Sequence, residues 1–138
     1  MEQQEFEQTV IRAVESLPRR IQAKIRNVVM CVEDWPSADQ LSRAGTRYGH
    51  TLLGLYEGIP QTVWGKDLTV RLPDKITIFR GPILSIARTP EELEILIKSV
   101  VWHEVGHYFG FNENRIRKLE IGWRQKQKHE LKEQASMQ

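Results

Sequence analysis

The stretch from Thr89 to Gly110 constrains this chain most, because it holds a start signal, a stop signal and an unbroken apolar pattern between them. Thr89 can cap a helix, Pro90 suits the first helical position, and Glu92 stands where a capping box needs its acid. Leu93, Leu96, Ile97, Val100, Val101 and Val105 then recur at helical spacing toward Tyr108, and Gly110 sits where a left-handed residue ends a helix.

Phe6, Val10, Ile11, Val14 and Leu17 recur at three- and four-residue steps, which predicts an amphipathic helix ending near Leu17, before Pro18. Arg19 to Arg26, with Ile21 and Ile25 four apart, predicts a second short helix. Val28 to Glu33 reads as a buried strand, Leu52 to Glu57 as another stopping at Gly58-Ile59-Pro60, and Lys75 to Arg80 as a third before Gly81-Pro82. Val63-Trp64 and Leu68 to Leu72 flank Gly65-Lys66-Asp67 as a possible hairpin. Pro36 to His50 lacks periodicity and reads as an exposed loop. Arg115 to Ile121 predicts a last helix fading into a polar tail from Lys126. There is no internal repeat, and the expectation is one domain over 6–125 followed by a tail over 126–138.

Composition narrows the class without naming a partner. With 40% hydrophobic and 28% charged residues, the chain has the make-up of a folding globular domain. Its net charge of +2 is too small an excess for a nucleic-acid-binding signature. No apolar run approaches the ~18 residues a membrane span needs. The acidic start, Met1-Glu2-Gln3-Gln4-Glu5, lacks the basic and apolar blocks of a secretory signal, so a cytoplasmic location is expected. The single Cys31, in an apolar strand, reads as a small buried hydrophobe and permits no disulfide framework. Trp35, Trp64, Trp102 and Trp123 form no chemical pattern and read as packing residues.

Within the long helix lies His103-Glu104-Val105-Gly106-His107. Four residues advance a helix by about 400°, so both imidazoles leave one face within reach of one metal ion. Glu104 stands about 100° away, beside the ion, where a carboxylate can take a proton from water. With four His and fourteen Glu in 138 residues, the motif arises by chance about once in a hundred such chains, and its placement on an independently expected helix lowers that further. A catalytic zinc ordinarily takes three protein ligands. Gly110 lets the chain turn back toward the ion, and Glu113 occupies the third-ligand position of the His-Glu-x-x-His-x-x-Gly-x-x-His spacing of metzincins. Glu113 is therefore the expected third ligand, with Glu120, Glu130, Glu133 and His50 as rivals and a plain acid at a helix start as the bland alternative. The methionines, Met1, Met30 and Met137, are not placed for the Met-turn of metzincins.

Leu17-Pro18, Val28 to Asp34, Leu53-Gly54-Leu55-Tyr56-Glu57-Gly58-Ile59-Pro60, Ile76 to Arg80, Thr89 to Leu93 and His103 to Gly110 follow one another as successive blocks. In these the chain, from about Phe6 to Glu120, resembles the minimal zincins, a family of small bacterial metallopeptidase-like proteins. The resemblance implies an α+β fold, a small mixed sheet with helices packed against it. It also implies His103 and His107 as metal ligands, Glu104 as catalytic base and residue 113 as the acidic third ligand. The family usually has Asp there, and Glu113 is one methylene longer.

The expected function is zinc-dependent hydrolysis of a peptide or protein substrate, with no nucleic-acid or membrane partner. Tyr48, His50 and Tyr108 are candidates by residue type for steadying the oxyanion. The block from Leu53 to Pro60 reads first as a core strand and turn. Its other reading is an edge that pairs with an extended substrate, in which case changes at Tyr56 or Glu57 raise KM. The contrasting function is a non-catalytic zinc-binding interaction module, consistent with the small size but not with a general base retained beside the ligands. Hydrolysis of a non-peptide amide would use the same site.

Overall fold

The computed structural model describes residues 2–25, 28–45, 52–58, 73–122 and 125. The expected hairpin over 63–72 and the tail over 126–138 lie outside them. Along the chain come α1 (Gln3–Glu15), α2 (Arg19–Lys24), β1 (Val28–Glu33), α3 (Ala38–Arg43), β2 (Gly54–Glu57), β3 (Asp74–Phe79), α4 (Arg80–Ile86) and α5 (Pro90–Tyr108). A further helix, α6, covers 113–122. The architecture is α+β.

The sheet has the order β1-β3-β2, parallel between β1 and β3 and antiparallel between β3 and β2. Strand alternation puts Met30, Val32, Ile76, Ile78 and Tyr56 on one face, where they meet Phe6, Val10 and Ala13 of α1 and Leu93, Ile97, Val100 and Val101 of α5. The other face carries Glu33, Lys75 and Glu57. Lys75 pairs with Glu33, and α3 reaches the same face through Gln40 bonding Glu33 and Arg43 pairing with Glu57. Helix α5 thus packs against α1, α4, β2 and β3, is buried on more than one side, and carries the motif histidines toward its C-terminal end.

Both ends of α5 form as its sequence dictates. Thr89 accepts a hydrogen bond from the Glu92 N–H at 3.1 Å, while the Glu92 carboxylate reaches the N–H of Arg88 rather than that of the cap itself. At the other end Phe111 N–H bonds the Gly106 carbonyl and Gly110 N–H the His107 carbonyl, with Gly110 at φ +77°, a Schellman stop. Thr89→Ala should cost about 1 kcal/mol, measured as a shift in the urea midpoint with unchanged slope.

Two elements correct the sequence reading. The stretch from Pro36 to His50 is not all loop, because Ser37 and Gln40 form a reciprocal capping box that starts α3. The Gly81-Pro82 pair does not end structure after β3 either. The chain passes directly into α4 with Pro82 in its first turn, where a missing N–H breaks no helical bond. Cys31 is half-buried, not enclosed. Trp102 packs against the core as expected, whereas Trp35 is 64% exposed and lies against Gly81, where an added Cβ would come within 2.3 Å of its ring. Trp64 and Trp123 lie outside the described residues.

Candidate metal centre

His103 and His107 leave α5 one turn apart, with ring centroids 4.8 Å apart. Helix α6 returns across them after the Gly110 turn. Asn112 caps it by accepting the Arg115 N–H at 2.8 Å, and Ile116, 1% exposed, seats it against Gly106 of α5. A Cβ at residue 106 would fall 2.8 Å from the Ile116 side chain, so glycine there permits the close crossing. Residues 113, 116 and 120 share one face of α6 by helical spacing. Docking Ile116 therefore turns two carboxylates onto the imidazoles.

Those carboxylates meet different ring nitrogens. Glu113 Oε1 lies 3.0 Å from His107 Nε2 and its Oε2 3.6 Å from His103 Nε2, so its carboxylate spans the two ring nitrogens. Glu120 Oε1 instead lies 2.8 Å from His103 Nδ1. The rivals Glu130, Glu133 and His50 lie outside the described residues.

Glu104 points to the opposite wall. It is only 6% exposed, and its Oε1 accepts the backbone N–H of Tyr56 on β2 at 3.0 Å. Strand β2 can come so near because residue 54 is glycine, where a Cβ would meet Val100 at 2.7 Å and Glu104 at 3.2 Å. Burial pushes the Glu104 carboxyl up to about 7, aided by the charges of Glu113 and Glu120 and opposed by His103 and the Tyr56 N–H. Its bond to Glu120 raises the His103 pKa, while burial lowers that of His107.

The ligand atoms of His103, Glu104 and His107 lie within 4.8 Å of one another, close enough to gather around one ion. The two imidazole nitrogens, with the Glu113 carboxylate that spans them, make a donor set that zinc accepts. The group lines a cleft of about 600 Å³ between α5 and β2, whose further lining includes Leu53, Leu55, Leu96 and Val100.

Of the oxyanion candidates, Tyr48 and His50 lie outside the described residues. Tyr108 is turned away, donating its hydroxyl to the Lys24 carbonyl of α2 at 3.5 Å. Met30 packs against the core from β1, and Met1 and Met137 lie outside the described residues. The Tyr56 N–H escaped the sequence reading, being a main-chain group with no side-chain signature. Glu120, a rival third ligand in that reading, lies at the site but against His103 Nδ1.

The model of one protein family, described as zincin-like metallopeptidase, matches residues 25–123. Among solved structures, a conserved hypothetical protein from Thermo thermophilus is similar, with a TM-score of 0.53 and 22% identity over 79% of this chain and 94% of that one. That likeness is one of fold. No curated protein matches the chain significantly.

Proposed function

Because the chain belongs to the zincin-like metallopeptidase family, we propose that it hydrolyses peptide bonds, with His103, His107 and Glu113 holding a zinc ion and Glu104 serving as general base. The observation that carries this reading is the setting of Glu104. Its carboxyl is buried between the imidazoles and β2 and anchored through one oxygen by the Tyr56 N–H. A carboxylate held in this way beside the two imidazoles presents its other oxygen to a water in the cleft, as a general base requires.

Zinc, when bound, supplies a Lewis acid for the scissile carbonyl and acidifies a water. The residues do the rest. The Glu104 oxygen that is free of Tyr56 takes the proton from the attacking water and passes it to the leaving amine nitrogen, which departs neutral. Glu113, whose carboxylate spans the two Nε2 atoms, would hold the ion from that side. The Tyr56 N–H fixes the carboxylate so that only one oxygen works.

An extended peptide suits the cleft. The Leu53 carbonyl accepts the Phe79 N–H of β3, and Tyr56 turns its N–H the other way, to Glu104. Backbone direction alternates along an antiparallel strand, so the Gly54 N–H and carbonyl and the Tyr56 carbonyl face the cleft rather than β3. They give a substrate backbone partners for strand addition, and Leu53, Leu55, Leu96 and Val100 give an apolar side chain its seat.

Elemental analysis of protein purified without chelator or metal-affinity resin should find about one zinc per chain. Glu113→Ala should weaken zinc by more than the roughly 10–100-fold typical of losing an outer partner. Peptide libraries should then be cleaved by the wild type. Absence of zinc uptake on titration at neutral pH would sink this function and favour an interaction module.

A further inference from the structure

We infer that Glu120 is the positioning residue of the metal centre, fixing which nitrogen of His103 faces the ion. The inference rests on the zinc reading above and extends it to a residue outside the ligand set.

A histidine can offer either ring nitrogen, and the choice follows from what the other nitrogen bonds. Here Glu120 Oε1 stands 2.8 Å from Nδ1. A carboxylate there takes the Nδ1 proton in a hydrogen bond and leaves the lone pair on Nε2, the nitrogen on the Glu113 side. It also fixes the ring plane and makes the imidazole a stronger donor. Nδ1 and Nε2 point in diverging directions, so a carboxylate engaged at Nδ1 does not share an ion held at Nε2.

Burial separates the two acids of α6 in the same sense. The Glu120 side chain is 16% exposed and packed against one ring, whereas that of Glu113 is 63% exposed at the cleft mouth. Their spacing of two helical turns, with Ile116 seated on Gly106 between them, sets both at once. One helix face thus supplies an inner acid for the ion and an outer acid for its ligand.

The test compares wild type, Glu120→Ala and Glu120→Gln by two readouts that need no turnover. In zinc-free protein at pH 9, nitrogen-15 NMR of the imidazoles should find the His103 proton on Nδ1 in the wild type, and that signature should vanish in Glu120→Ala. Competition against a chelator should give Glu120→Ala a zinc affinity about 10–100-fold below wild type. Glu120→Gln keeps an acceptor oxygen and should fall between. If the wild type binds zinc and Glu120→Ala matches it in tautomer and affinity, the assignment of Glu120 is overturned alone. A cobalt-substituted Glu120→Ala with a spectrum of altered coordination would also overturn it, by making Glu120 a ligand. A wild type with the Nδ1 proton in place and no zinc uptake would overturn the zinc reading, and the role of Glu120 toward the ion with it.

Discussion

Glu104→Gln should lower kcat by about 10²–10⁴-fold while zinc stays bound as tightly as in the wild type. The amide keeps an oxygen to accept the Tyr56 N–H, so the wall of the cleft is preserved and only the proton acceptor is lost. Steady-state kinetics beside chelator competition separate the two effects, and a variant that still turned over at the wild-type rate would remove Glu104 from the chemistry. A second consequence concerns stability. The folded carboxyl pKa is raised to about 7, chiefly by burial, so its contribution is favourable below the ordinary carboxylate range and is lost as pH rises through 7. Zinc-free Glu104→Gln does not ionise there. It should therefore be more stable than zinc-free wild type above pH 7, by roughly 1–3 kcal/mol, with the gap closing below about pH 4.5.

Ile116→Ala should cost about 2–5 kcal/mol and weaken zinc without altering any ligand. Ile116 is buried against Gly106 and sits between the two acids of α6, so its loss frees the helix that carries them. Hydrogen exchange should accelerate over 113–122 while the core turns of α5 stay protected. Gly106→Ala attacks the same contact from the other side, since its new methyl would press on Ile116. Alanine at both positions should restore part of the lost affinity, a coupling that independent sites do not have. Zinc affinity unchanged in both single variants would mean that the acids reach the imidazoles without this docking.

The long helix and its histidine motif were legible because cap, period and stop all lay within one stretch and agreed. Strands β1 and β3 were legible from β-branched runs bounded by turn residues. Helix α3 was obscured because it buries only Gln40, leaving no apolar period, and its one signal was the Ser37–Gln40 cap inside a polar stretch. Helix α4 was hidden by Gly81-Pro82, a pair that reads as a stop until the proline is seen in the first turn. In the site, the closeness of the two imidazoles of α5 followed from spacing along a single element. The Tyr56 N–H and the Glu120 contact depend on how separate elements cross, which side-chain pattern alone does not encode.

Among the described residues β2 is the outer strand of the sheet, and an open strand edge invites a second copy of the chain to add to it. Here that edge is four residues long, and the N–H of Tyr56 is already taken by Glu104. Of the two outward N–H groups of this strand, Gly54 and Tyr56, only that of Gly54 is left for a pairing backbone. The carboxylate assigned to chemistry thus also takes up a strand-pairing donor. An inactive form for trapping substrates is accordingly better made with glutamine, which keeps an oxygen for the Tyr56 N–H, than with alanine, which leaves that N–H without its partner.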